Sequence, residues 1–534
     1  MNLLFKDNLK RLELLKIKSK ENNKKIRIAV YRNHSFESIA SILNAFLNYS
    51  NITAEFVYSD YDDSLNFQLT DCDLNIIWLD LERYKNINLE AFLNERLAFL
   101  KENAKSPVLL IYTGKKIELK IDSLTDCYLI RANEIFDKLG AEAYDLEKEA
   151  YSGTRLSNKS IILISQKLGL QLIPSILKPA LKALVFDLDN TLYDGILGED
   201  GIDGIVLTEE HKKLQNHIKA LQKQGFFICI ASKNEEEDVR ELFSRRKDFP
   251  LRWEDFAALK VNWKNKSENL LELAKILNIG LESIIFIDDN PAEIQNVEMT
   301  SIPVKTILAE SPKSVLQILS LYPGLLKLKR SAEDSIRSKD IKANAQRVEM
   351  AKKLTAEEYF SKLGIELIYS INDEAQIHRV SELFNKTNQF ILCYKRYSET
   401  EVKTLMQNPK SLIITIKMSD ILSDSGIIAI LAAHKEADRL VVDELTVSCR
   451  ALGRNLENVM LPKLLQIAQK QLSTNSVVQI NYKQGPRNTP ALEWLANISR
   501  EKVSKEGTIQ YYIPEIINTN GLKIEVKDAS KIQV

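Results

Sequence analysis

With 534 residues, and with lysine plus arginine matching aspartate plus glutamate at 73 each, the chain is long enough for about three domains and carries no net charge. That balance supplies no global field to draw it onto nucleic acid or an anionic membrane, so neither is expected as a partner. Cys72, Cys127, Cys229, Cys393 and Cys449 are scattered and form no CxxC pair, which argues against a zinc ribbon or a disulfide framework.

The opening residues, MNLLFKDNLKRLELLKIKSKENNKK, are broken by charge too often for a signal-peptide core and read as a charged, partly amphipathic helix over 1–25. No apolar run reaches the roughly 18 residues of a membrane span, so a cytoplasmic location is expected. Strand-like runs follow at 26–31, 54–58, 74–79 and 108–112, with helical spacing at 36–47 and 89–101. Such alternation predicts a parallel, doubly wound sheet. His34 and Ser35 come just after the first strand. No Gly-Asp-Ser motif precedes them and no DxxH occurs over 144–168, so they are expected at a helix entry, with Ser35 as N-cap and Ser38 in the first turn. The two prolines of QLIPSILKP predict a linker over 171–179.

The rest of the chain is organised around residues 181–204, LKALVFDLDNTLYDGILGEDGIDG. The run 183–186 is too short for a helix and suits a strand buried on both faces of a parallel sheet. Asp187 and Asp189 then fall where that strand becomes a loop, the place where open α/β sheets hold ligands. Two carboxylates so close repel each other, and Mg²⁺, which takes hard oxygen ligands, would relieve the repulsion. Gly195, Gly198, Gly201 and Gly204 predict a tight flap rather than a large cap. A helix over 209–224 ends at Gly225, and the strand 226–231 delivers Ser232, Lys233 and Asn234 to the same sheet edge. Lys266 opens a helix over 266–277. The strand 283–287 ends in Asp288 and Asp289, and a last strand covers 302–307.

A charged stretch over 327–347 interleaves acids and bases and reads as a solvated linking helix. A third domain follows over about 350–512, with strand-like runs at 365–371, 412–418, 426–434 and 440–447. The last leads into Ser448, Cys449, Arg450, Ala451, Leu452, Gly453, Arg454 and Asn455, then a long helix. Cys449, at a strand end near a helix start and beside Arg450, is the thiol best placed for a lowered pKa. His378 and His434 have no motif around them. One β-like stretch, 522–526, lies in a polar tail.

The order Asp187, Asp189 and Thr191, then Ser232, then Lys266, then Asp288 and Asp289 resembles the haloacid dehalogenase (HAD) superfamily of phosphatases and phosphotransferases. The strings DLDNTLYDGILGEDGIDGI, ASKNEEEDV, WEDFAALKVNWKNKSENL and IIFIDDNPAEIQNV resemble its FkbH-like branch. In that branch a cysteine often precedes the serine that stands at 232; here Ala231 takes its place, with Cys229 two residues earlier. The resemblance implies a Rossmann-like central domain over 178–330 with a small flap. It also implies an SGNH-like α/β docking domain over 1–177 without chemistry of its own, and a tail over 516–534.

The same resemblance gives roles. Asp187 would be the nucleophile, and Asp189 the general acid and base. Thr191, Ser232, Lys233, Asn234 and Lys266 would bind the phosphoryl group. Mg²⁺ would be held by Asp187, Asp189, Asp288 and Asp289, the last from behind the other ligands or through water. Arg450 and Gly453 are similar to the GNAT acyltransferase loop R-x-x-G-x-G/A, which implies a GNAT-like domain over 348–515. Asn455 departs from the small residue expected there. In that reading Cys449 carries an acyl group. The partners implied are an acyl carrier protein with its phosphopantetheine arm and a phosphorylated three-carbon acyl donor. Two further strings, Thr387-Asn388-Gln389-Phe390 and Asn488-Thr489-Pro490, also resemble the branch, without assigned roles.

Overall fold

The computed structural model describes residues 3–61, 65–68, 70–121, 124–328, 343, 347, 350, 354–448, 451–452, 456–475 and 477–528. The chain divides into two compact units, Met1–Ala180 with Leu316–Lys329, and Leu181–Val315 with Arg330–Val534.

The first unit holds a parallel sheet of β1 (Lys24–Arg32), β2 (Ile52–Tyr61), β3 (Leu74–Asp80), β4 (Val108–Thr113) and β5 (Cys127–Arg131) in the order β2-β1-β3-β4-β5. Every residue of β3 and β4 is buried, as unbroken apolar runs at the centre of a doubly wound sheet require. In helix Glu37–Leu47, Ile39, Ile42, Leu43, Phe46 and Leu47 fall on one buried face.

Three expectations fail in this unit. Among the described residues before β1, the helical pieces are a 3₁₀ turn, Leu3–Phe5, and a short helix, Arg11–Leu15. Phe5 is instead a buried anchor against Tyr49 and Tyr322. The expected linker at 171–179 is largely helix: Asn158–Lys167 passes through a π turn, Leu168–Leu172, into Ile173–Leu177. Pro174 sits in the first turn of the last piece, where its missing N–H costs least, and the π turn absorbs the change of register. This helix, Asn158–Leu177, is long and apolar enough to cross a membrane, with mean hydropathy 1.5, but 72% of that window is buried within the fold. Ser35 is not an N-cap. The helix starts after Phe36 with no side-chain cap, and the Ser35 hydroxyl donates to Glu37 Oε2 at 2.8 Å. His34 is 1% exposed, stacks on Trp78, and lies 3.1 Å from Thr154 Oγ1 through Nδ1. Burial, with Arg83 and Arg155 nearby, pushes its pKa down to about 3, so the imidazole stays neutral at neutral pH.

The second unit holds two sheets. The smaller is parallel: β6 (Ala183–Phe186), β7 (Phe227–Ser232), β8 (Ala258–Val261), β9 (Ile284–Asp288) and β10 (Lys305–Leu308), in the order β10-β9-β6-β7-β8. β6, β7 and β9 are wholly buried. Phe186 is in register with Ile287 on one side and Ile230 on the other, so the next residues, Asp187, Asp288 and Ala231, reach one edge together.

The larger sheet is mixed: β11 (Glu366–Ile371), β12 (Ser411–Ser419), β13 (Asp424–Glu436), β14 (Arg439–Val447), β15 (Val477–Lys483), β16 (Glu506–Tyr512) and β17 (Lys523–Asp528), in the order β16-β15-β14-β13-β12-β11-β17. β17 pairs in parallel with β11, so the expected tail contains a strand of this sheet. Of the expected linking helix at 327–347, only 327, 328, 343 and 347 are described. Arg347 there is buried and forks onto Asp420 at 2.7 and 2.9 Å.

Candidate active site

The site is built at the carboxyl edge of the smaller sheet in the second unit. Asp187 follows β6 and receives its backbone hydrogen bond from the neighbouring strand, Asp187 N–H donating to Ile287 O at 2.9 Å. Its Oδ1 accepts from Lys266 Nζ at 2.5 Å. Lys266 opens helix Lys266–Leu277, is 3% exposed, also donates to Ala231 O at 2.6 Å, and stands 3.2 Å from Asp288 Oδ2. A cation in a first helical turn is unfavourable on dipole grounds. Two buried carboxylates offset that here: Asp187 and Asp288 hold the ammonium above its ordinary pKa although burial pulls it down. Burial pushes the Asp187 carboxyl up to about 6, against the pull of Lys266, and Asp288 pushes it the same way. Burial also raises Asp288 and Asp289.

Asp187, Asp288 and Asp289 can each turn an oxygen to within 4.8 Å of the others. Three carboxylates face one ammonium, which leaves a surplus of negative charge. Asp288 Oδ2 is buried and shares the Lys266 ammonium, 3.2 Å away, with Asp187. Clustered carboxylates in excess of the one ammonium among them are what a hard divalent cation completes, so the residues present fit Mg²⁺. The Asp189 carboxylate lies outside this cluster of side-chain oxygens. Its Oδ1 accepts from Tyr193 Oη at 2.6 Å and Leu197 N–H at 3.1 Å, and its Oδ2 from Asn234 Nδ2 at 2.9 Å. With both oxygens so held, its carboxylate is oriented for proton transfer rather than metal ligation.

Further polar side chains stand beside Asp187. Ser232 ends β7, is 1% exposed, and its hydroxyl bonds the Asp187 carboxylate and accepts from Asn234 Nδ2 at 3.1 Å. Thr191 Oγ1 is buried with no partner. Lys233 turns elsewhere, pairing with Glu293 at 2.6 Å. The flap is a short bridge, Asp194 to Val206, around a helical segment Leu197–Gly204 kinked at Gly201. Asn190 takes a left-handed φ of 52° and accepts from Gly195 N–H at 3.0 Å, which turns the chain back into the flap. Two residues of the site were not expected. Tyr193, four after Asp189, is fully buried and orients it, and Asn190 bonds Asp289. Both lie inside the DLDNTLYD string, yet a buried tyrosine there reads equally well as core.

Cys229 is fully buried within β7 and its thiol is pushed up to about 12 by burial, so it is a packing residue. Cys449, Arg450 and Gly453 lie outside the described residues.

No protein-family model matches the chain, and no curated protein matches it in sequence. Among solved structures, it is similar to the N-terminal part of BF1531 from Bacteroides fragilis, which contains a phosphatase domain and was crystallised with Mg. That match has 22% identity and TM-score 0.48, and covers 59% of this chain and 99% of that one. It is also similar to the ribosomal-protein-S18-alanine N-acetyltransferase of Escherichia coli, at 11% identity and TM-score 0.21, covering 29% of this chain and 97% of that one. A GNAT-family acetyltransferase from Streptococcus pneumoniae matches at 10% identity and TM-score 0.20, covering 27% and 96%. These likenesses are too distant to assign an activity, which rests on the site itself.

Proposed function

We propose that the chain is a Mg²⁺-dependent phosphohydrolase or phosphotransferase acting through Asp187. The observation that carries this reading is the convergence of three carboxylates, Asp187, Asp288 and Asp289, on one ammonium, Lys266, which is bonded to the first and ion-paired with the second. Asp187 attacks phosphorus and takes the phosphoryl group on its carboxylate. Asp189, oriented by Tyr193, Leu197 and Asn234, gives a proton to the departing oxygen and then removes one from the attacking water. Ser232, Lys266 and Thr191 supply donors to the phosphoryl oxygens, where negative charge must be held. Mg²⁺ bound by Asp187, Asp288 and Asp289 would add electrostatic stabilisation of that charge. Hydrolysis of p-nitrophenyl phosphate by the full chain, lost on adding EDTA and restored by Mg²⁺, is the expected result; metal-independent or absent hydrolysis by well-folded protein refutes it.

The finer reading, which follows the FkbH-like resemblance, is that the phosphoryl group sits on a glyceryl unit. The enzyme would transfer that unit from 1,3-bisphosphoglycerate to the phosphopantetheine thiol of an acyl carrier protein. The pairing of a phosphatase-like site and a mixed seven-stranded sheet in one unit supports it. Mass spectrometry of carrier protein incubated with enzyme, donor and Mg²⁺ tests it: a glyceryl adduct is expected, and its absence with a cognate carrier sinks the transfer step alone.

One observation favours the alternative, a phosphatase whose flanking sheets bind partners. β14 and β15 pair only from Leu440 to Val442 and then part. The chain's own segment is bonded into that gap: Val447 N–H donates to Phe390 O at 2.9 Å and Lys483 N–H to Leu392 O at 2.8 Å. Glu444, fully buried, accepts from the N–H groups of Leu392, Cys393 and Lys395 and fixes the segment there. An arm entering between these strands would have to displace it. Phosphate release unchanged by Cys449→Ala, with no carrier adduct, supports this second reading.

A further inference from the structure

Three neighbouring strands of the smaller sheet send their loops out beside Asp187. In the order β10-β9-β6-β7-β8, the loops after β6 and β8 leave on either side of β7, whose last residue is Ser232. With adjacent strands about 4.8 Å apart, those two loops start about 10 Å from each other. Polar and charged groups meet the phosphoryl group between them. The rest of a phosphoester has to run outward past whatever the two loops present.

What they present is apolar. Val261, the last residue of β8, is in register with Ser232, and Asn262 N–H donates to Ser232 O at 3.1 Å. Trp263 follows, three residues before Lys266, and is 69% exposed. Its indole is nevertheless fixed: Nε1 donates to Glu235 Oε1 at 2.7 Å, and Glu235 comes three residues after Ser232, at the start of helix Glu236–Arg245. Its loop is pinned as well. The Asn262 and Asn269 side-chain amides bond each other at 3.2 and 3.1 Å, and Asn262 Oδ1 also accepts from Lys264 N–H at 3.0 Å. On the β6 side, Ile196 is 38% exposed and directly precedes Leu197, whose N–H bonds the Asp189 carboxylate. A large ring held in water forgoes the gain of burying it, and a ligand that covers its face recovers that gain. Ligand sites commonly set a few polar groups against apolar walls in this way.

We propose that Trp263 is a specificity-determining residue of the Asp187 site. Its ring packs against a flat, uncharged part of the leaving group, an aromatic ring or an amide plane, and Glu235 is the residue that positions it. The proposal rests on the phosphatase reading and adds to it the class of phosphoester: one whose leaving group carries a planar portion close to the ester oxygen.

Titration of the full chain in Mg²⁺ with three non-hydrolysable phosphonates tests this without turnover. Methylphosphonate supplies the head group alone, phenylphosphonate adds a ring, and acetamidomethylphosphonate adds an amide. Wild type should bind at least one of the planar probes at least about fivefold more tightly than methylphosphonate. Trp263→Ala should bring that ratio to about one while methylphosphonate still binds, and Trp263→Phe should keep most of it. Glu235→Ala, which frees the indole, should lower the ratio, and Glu235→Gln, which keeps an acceptor, should restore it. An advantage for the ring alone assigns an aromatic leaving group; an advantage for the amide assigns an amide-bearing one. Equal binding of all three probes by wild type, a ratio that survives Trp263→Ala, loss of methylphosphonate binding in that variant, or no binding of any probe overturns the proposal. Turnover of p-nitrophenyl phosphate is read separately: the expected binding pattern without Mg²⁺-dependent turnover refutes the phosphatase reading and leaves the Trp263 contact standing.

Discussion

Replacing Lys266 with methionine keeps the side chain's length and deletes its charge. At an effective dielectric near 20, an ammonium 2.5 Å from one carboxylate and 3.2 Å from another gains about 5–7 kcal/mol from each, before the several kcal/mol lost on burying it. Breaking such a buried pair by removing one partner costs about 3–5 kcal/mol, because the carboxylates are left facing each other. At roughly 2–4 °C per kcal/mol, Lys266→Met should unfold on the order of 10 °C earlier than wild type in EDTA. A divalent cation answers the same repulsion, so Mg²⁺ should raise the midpoint of the variant by more than it raises wild type. Activity should stay about 10²–10³-fold down even with Mg²⁺, because the phosphoryl oxygens lose a donor. Differential scanning fluorimetry with and without Mg²⁺ reads the stability and p-nitrophenyl phosphate turnover reads the rate. Equal midpoints in EDTA, together with an equal Mg²⁺ shift in both proteins, would refute the reasoning.

Asp187→Asn should lower phosphatase turnover at least about 10⁴-fold, since the nucleophile is gone; retained hydrolysis would move the chemistry to another residue. Tyr193→Phe removes a hydroxyl bonded to the Asp189 carboxylate and should cost about 1.5–3 kcal/mol of orientation, read as a tenfold or greater fall in kcat with little change in KM. His34 gives a pH signature in the first unit. Its folded pKa of about 3 lies below the unfolded value of about 6.5, so its contribution is complete above pH 6.5 and is lost as pH falls toward 3. His34→Gln should flatten the fall in thermal midpoint between pH 6.5 and 4, by at most about 1.4 kcal/mol per pH unit; an unchanged slope would assign acid sensitivity elsewhere.

What could be read along the chain was what local chemistry fixes. Short unbroken apolar runs such as 183–186 and 283–287 can be little else than strands buried on both faces, and polar residues directly after them must emerge at a sheet edge. Such runs place Asp187, Ser232 and Asp288 at one sheet edge. Misreadings arose where local signals compete with packing. Two prolines at 174 and 179 suggested a linker, but the hydrophobic surface of 158–177 outweighs them and the helix runs on past Pro174. The charged opening suggested a helix, yet one buried aromatic, Phe5, decides how that segment lies.

The sequence by itself determined the parallel sheets and the order in which the site's acids, serine and lysine occur, because strand burial and loop position depend on neighbours a few residues away. Only the tertiary structure decided that Asp189 is held by Tyr193 and Asn234 away from the carboxylate cluster. The same is true of β17, which closes the edge of a sheet begun more than 150 residues earlier. Those outcomes depend on contacts between residues far apart along the chain, and no local periodicity carries that information.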